Sequence, residues 1–152
     1  MSENLIFRRY EDKDKEEVKK LHVLALGNIY KSGPWEEDLD NIEKVYLANN
    51  GEYLVVENDK QIIAMGAFRR IGEKRAEIKR MRVHPNYWRR GIGQRILSKL
   101  ELLAKEKGYQ CIQLDTTIQQ EPTQMLYLKN NYREIKRENK GPFDCIFYEK
   151  EI

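Results

Sequence analysis

Residues 83–97, VHPNYWRRGIGQRIL, place two arginines and a Gly-Ile-Gly turn directly ahead of an apolar helical pattern, and no other stretch restricts the fold as much. A helix N-terminus leaves several backbone N–H groups unpaired and carries a partial positive charge. Glycines there let the main chain approach a phosphate with no Cβ in the way. Arg89 and Arg90 add cationic donors beside it. The pattern therefore suits a pyrophosphate cradle, and a tight turn with solvated arginines is the alternative that these residues leave open. A Walker loop is excluded, since no lysine followed by Ser/Thr comes after the second glycine. A dinucleotide fingerprint would need three spaced glycines inside a βαβ repeat, and neither is present.

The rest of the chain builds a frame around this turn. Asn4–Tyr10 reads as a strand, and Asp14, three residues before Glu17, as a capping-box start for a helix carrying Val18, Leu21 and Ala25. Lys31-Ser32-Gly33-Pro34 should end it. Leu39, Ile42 and Tyr46 mark a second helix, closed by Asn49-Asn50-Gly51. Tyr53–Glu57 and Gln61–Phe68 form a hairpin about Asn58-Asp59-Lys60. Ala76–Val83 is a further strand, in which Ile78 has the opposite parity to Met81 and Val83, as a β-bulge would produce. Gly91–Lys107 is the clearest helix, with Ile92, Ile96, Leu100, Leu103 and Ala104 on one side and Gly108 as its stop. Cys111–Thr117 is a strand, Pro122–Asn130 a short helix, and Tyr132–Arg137 and Phe143–Lys150 are the last strands. The order β-α-α-β-β-β-α-β-α-β-β implies an α/β (α+β) fold. Its centre is a mixed, mostly antiparallel sheet of about seven strands with helices on both faces, in a single domain over residues 1–152.

Two segments, RMRVHPNYWRRGIGQRIL and LDTTIQQEPTQMLYLKNNYRE, resemble the cofactor and catalytic blocks of the GNAT superfamily of acetyl-CoA-dependent N-acetyltransferases. The likeness covers nearly the whole chain, element order included. The family's Gln/Arg-x-x-Gly-x-Gly/Ala motif reads here Trp88-Arg89-Arg90-Gly91-Ile92-Gly93, with Trp88 in place of the polar first residue. The resemblance implies that backbone N–H groups from Arg89 to Gln94, through Arg90, Gly91, Ile92 and Gly93, bind the coenzyme A pyrophosphate. It implies that Met81, Arg82 and Val83 pair main chain to main chain with the pantetheine arm, a bulge splaying their strand from Cys111–Thr117 to open a slot for the thioester. In the second block Leu126-Tyr127 and Tyr132 match, Gln120 stands for the family's asparagine, Thr123 for its alanine and Asn131 for its glycine. Gln120 and Tyr127 are then cofactor-binding residues, and Tyr127 protonates the departing thiolate. The family's strand order also places Cys111 and Cys145 on neighbouring strands, as reduced thiols.

The reaction needs a neutral amine, a polarised carbonyl and a protonated leaving group. Glu77, just before the pantetheine-pairing residues, is the candidate base, with a cross-strand ion pair as its alternative role; water can also take the proton. His84 reads as a structural loop residue and His22 as surface or packing. The resemblance implies that Ser32-Gly33-Pro34-Trp35-Glu36-Glu37-Asp38, between the first two helices, forms part of the acceptor site. Trp35 is then a wall and the acids attract a cationic amine, although acids at a helix N-terminus are equally accounted for by its dipole. The expected function is transfer of an acetyl group from acetyl-CoA to a primary amine of a small molecule, peptide or protein. The other class is a non-catalytic acyl-CoA sensor or interaction module on the same fold.

Composition narrows the field further. Charged residues make up 35% of the 152, yet the net charge is only +3, so no basic footprint calls for nucleic acid. No stretch approaches the roughly 20 apolar residues of a membrane span. The N-terminal MSENLIFRRYEDKDK lacks an apolar signal core, so the cytoplasm is the expected compartment. Two distant cysteines suit neither a zinc site nor a disulfide framework, and no metal is expected. The resemblance is compatible with a homodimer.

Overall fold

The computed structural model describes residues 4–27 and 33–152. Strand alternation sets the architecture. In β2 (Glu52–Asn58), Leu54 and Val56 belong to one apolar cluster and Tyr53 and Val55 to another, and all four are buried. A sheet apolar on both faces must be covered on both. The other strands are β1 (Leu5–Arg9), β3 (Gln61–Gly72), β4 (Arg75–Val83), β5 (Cys111–Thr117), β6 (Arg133–Lys140) and β7 (Phe143–Glu151). They form one sheet in the order β1-β2-β3-β4-β5-β7-β6, in which only β4 and β5 run parallel. This is the expected mixed seven-stranded sheet.

One face is covered by α3 (Ile92–Glu106), which buries Ile92, Ile96, Leu97, Leu100 and Ala104. The helix can lie this close because β3 has no side chain at Gly66. A Cβ there would stand 2.5 Å from Ile96 Cγ2 and 2.9 Å from Met81 Sδ. The opposite face is covered by α1 (Lys15–Leu26) and the segment after it, through Val18, Leu21, Leu39, Ile42 and Tyr46. A final helix, α4 (Glu121–Lys129), follows β5.

Two local expectations change, and a third holds. The second helix is not continuous: 3-10 turns over Pro34–Asp40 and Leu47–Asn49 flank a single α-turn, α2 (Ile42–Val45). Asn41, at φ −138°, interrupts the winding. Asp14 does not cap α1. Its buried carboxylate accepts from the Glu11 N–H (2.8 Å) and from both terminal nitrogens of Arg8 (2.8 Å each). Cys111 and Cys145 do lie on neighbouring strands, but at opposite ends, since Cys111 pairs with Glu151 and Cys145 with Thr117. Six strand residues span about 20 Å, which no disulfide bridges, and both thiols are free.

Candidate active site

The site begins where the sheet comes apart. Ladder pairing between β4 and β5 runs from Arg75–Cys111 to Ile78–Leu114 and stops there. On the other side of β4, Lys79 pairs with Ala67 and Arg82 with Met65, so two β4 residues oppose the single Gly66. That is the bulge anticipated from the parity of Ile78 and Met81. It turns on Arg80, which adopts φ +61°, a left-handed conformation uncommon for a side-chain-bearing residue. Arg80 is held there by Asp38, which accepts from Arg80 Nε at 3.0 Å and from the Tyr46 hydroxyl. After the bulge, Met81 and Val83 pack on the α3 side. Beyond Ile78 the β4 edge that faces β5 has no strand partner among the described residues.

A cavity of 130 Å³ occupies this parting, lined among others by Ile78, Met81, Asp115, Thr116, Gln120 and Tyr127. Tyr127, on α4, is 3% exposed and packs its ring against Tyr132 and Tyr148 at centroid distances of 5.9 and 5.8 Å. Burial raises the pKa of its hydroxyl well above the usual phenol value, with Arg82 opposing, so the group stays protonated at neutral pH. Gln120 is oriented by two threonines: its Oε1 accepts from Thr116 Oγ1 (2.9 Å) and Thr117 Oγ1 (3.2 Å), which leaves the amide N–H₂ as the outward donor.

The glycine turn leads into the same region. Arg89 and Gly91 have φ +64° and +76°, and Gly91 precedes the first residue of α3 with no side chain capping the helix. The first intrahelical bond at this end runs from Arg95 N to Gly91 O, at 3.1 Å. The N–H groups of Ile92, Gly93 and Gln94 are therefore the orphan donors of the first turn. A Cβ on Gly91 would meet no atom within 4 Å, and one on Gly93 only Leu126 Cδ2, at 3.7 Å. Packing within the protein thus leaves space above both glycines, as a cradle for an external group requires. Arg89 and Arg90 are exposed beside it, and the Arg90 guanidinium lies 5.0 Å from the centroid of the Tyr87 ring. Trp88, at the motif's altered position, donates its indole N–H to Val83 O at 2.7 Å.

Other candidates are placed differently. Glu77 is 5% exposed and accepts from Arg69 Nε at 2.9 Å across β3 and β4, and it is not among the residues lining the cavity. Its neighbour Lys79 lines the cavity instead. Asp38 does not act as an attractor for a cationic amine, because Arg80 and Tyr46 occupy its carboxylate. The side chain of Trp35 lies outside the described residues. His84 is the loop residue expected, its Nδ1 accepting from Asn86 N at 3.0 Å. His22, read from the sequence as surface or packing, is the packed residue that also reaches the cavity. It is 2% exposed and lines the cavity, with Nε2 3.3 Å from Glu36 Oε2. Its place four residues after the apolar Val18, on the same face of α1, was the available signal.

The overall fold is shared with solved acetyltransferases. A GNAT-family acetyltransferase of Staphylococcus aureus Mu50 superposes with a TM-score of 0.89 at 27% identity, over 97% of this chain and 98% of its own. A putative acetyltransferase of Salmonella typhimurium, solved with acetyl-CoA, shares the fold with a TM-score of 0.77 at 17% identity, over 97% of this chain and 93% of its own. Residues 15–132 match the family model described as Acetyltransferase (GNAT) family, and the chain belongs to that family. Among curated proteins it is similar to the uncharacterized N-acetyltransferase YedL of Escherichia coli (strain K12), 32% identical over 79 residues, covering 51% of this chain and 50% of YedL. It is also similar to N-acetyltransferase 8F1 of Rattus norvegicus, 25% identical over 119 residues, covering 70% of this chain and 54% of that protein. The chain thus spans about half the length of these curated relatives.

Proposed function

We propose that the protein moves an acetyl group from acetyl-CoA directly to a primary amine held in the same complex. The observation that carries this reading is the position of Tyr127, a protonated and buried phenol lining the cavity where β4 and β5 part. The first-turn N–H groups of Ile92, Gly93 and Gln94, with Arg89 and Arg90, hold the pyrophosphate. The open edge of Met81, Arg82 and Val83 pairs with the pantetheine arm, and Gln120 donates to it. The amine nitrogen attacks the thioester carbonyl carbon, so a C–N bond forms as the C–S bond breaks. Tyr127 gives its proton to the departing sulfur, and the amine releases one to water. Glu77 can receive that proton only through intervening water, since Arg69 holds it and it does not line the cavity. Proximity of the two substrates supplies much of the rate.

The test is thiol release from acetyl-CoA over a panel of amines, amino acids and peptides. For an accepted amine, Tyr127→Phe lowers the single-turnover rate roughly 10²–10⁴-fold, the range of general-acid catalysis, with acetyl-CoA affinity nearly unchanged. An unchanged single-turnover rate would overturn the role of Tyr127. Stoichiometric acetyl-CoA binding without thiol release across the panel would favour an acyl-CoA sensor.

A further inference from the structure

The lining of the cavity carries more positive charge than the protein neutralises. It includes Lys79, Arg80, Arg82 and Lys140, against Asp115 as the one carboxylate among the described lining residues. Arg80 is matched by Asp38, and Lys140 stands 3.5 Å from Asp115. Lys79 and Arg82 form no ion pair of their own among the described residues. Lys79 is pulled below the ordinary lysine range by burial, with Glu77 and Asp115 acting in the opposite direction.

Arg82 is the sharper case. The bulge puts its main chain on the edge facing the cofactor path while Met81 and Val83 take the α3 face, so its side chain belongs to the face covered by α1. There its Nη1 donates to Met81 O at 2.9 Å, and its buried Nε has no hydrogen-bond partner among the described residues. Burial and the neighbouring Arg80 lower it to about 10, with Tyr127, Tyr53 and Asp115 opposing, which leaves it charged at neutral pH. Arg82 as a whole is half-buried, but its buried Nε and the lack of a carboxylate partner among the described residues leave room for an outside anion, and its planar fork suits a carboxylate or a phosphate.

We infer that Arg82, supported by Lys79, binds an anionic group of the acceptor, so that the acetylated amine belongs to a molecule that also carries a carboxylate or phosphate. This rests on the acetyltransferase reading for its site and adds the substrate class.

The experiment compares L-amino acids, the same amino acids as carboxamides, and aminoethyl phosphate. Each is titrated calorimetrically into the CoA-bound protein and assayed for thiol release with acetyl-CoA. Hydrogen bonds to charged groups predict that the anionic probe binds roughly tenfold or more tightly than its amide. The preference falls to about unity in Arg82→Met and is partly kept in Arg82→Lys, both variants first shown to be folded by their thermal unfolding. Lys79→Met gives a second, smaller loss of preference. Whether the amino acids or aminoethyl phosphate bind tighter identifies the anion. Carboxamides binding as well as the acids, no binding of any anionic probe, or a preference that survives Arg82→Met would overturn the inference. Thiol release confined to uncharged amines would sink it while leaving acetyl transfer standing. Arg82-dependent anion binding with no thiol release would overturn it as a statement about the acceptor and count against acetyl transfer to these probes.

Discussion

His22 offers a direct measurement of how the cavity's charges act on a buried base. Desolvation lowers its pKa to about 3, Arg82 and Arg80 push in the same direction, and Asp38 opposes them; Glu36 is its neighbour at 3.3 Å. An unfolded-state histidine titrates near 6.5. Between those two values the unfolded chain binds a proton that the folded chain refuses, so stability rises with pH across this window and falls on acidification. From pH 7 to pH 5 the unfolded state gains nearly the whole linkage of about 1.5 units, or about 2 kcal/mol. For a chain of this size that corresponds to a loss of about 4–8 °C in Tm. His22→Gln has no such proton to refuse, and His84 is common to both proteins. Asp14 and Asp38, both held below the ordinary carboxylate range, lose their stabilisation only at lower pH, as protonation sets in below their unfolded values. Urea unfolding of both proteins at pH 7 and pH 5 should therefore show the wild type losing about 2 kcal/mol more than the variant. Equal losses would mean that His22 is protonated in the folded state at pH 5, so that burial, with its cationic neighbours, does not hold it neutral.

Gly93→Val should weaken acetyl-CoA binding strongly while the protein remains folded, since only Leu126 comes near the added atoms; unchanged affinity in calorimetry would remove the cradle. Gly66→Ala forces a Cβ into Ile96 and Met81 and should cost about 1–3 kcal/mol in chemical unfolding, the usual penalty of overpacking; a neutral result would show that α3 can lift off β3 freely.

Local periodicity carried much of this structure. The buried side of α3 could be read from its 3.6-residue spacing, and the bulge from the mismatch between Ile78 and Met81, because both are patterns within one element. Leu39, Ile42 and Tyr46 were correctly apolar and are all buried. Spacings of three and four, however, fit short 3-10 turns as well as one α-helix. The contacts that shape the acceptor side join distant parts of the chain. Asp38 and Arg80 are 42 residues apart, and nothing near Asp38 tells that its charge is spent on a bulge in β4. For the same reason Glu77 could be chosen as a base without its partner Arg69 being visible, although the two are only eight residues apart across a hairpin.

Gln94 and Asn130 exchange two amide hydrogen bonds, at 2.8 and 2.7 Å, and Asn130 also donates to Leu126 O at 2.8 Å. One of these amides sits in the first turn of α3 and the other at the end of α4, the helix that carries Tyr127. The reciprocal pair locks the two helices into one body. If the turn holds the pyrophosphate as proposed, the interval between it and the phenol is set like a ruler, and it would favour cofactors whose arm between phosphates and sulfur has that length.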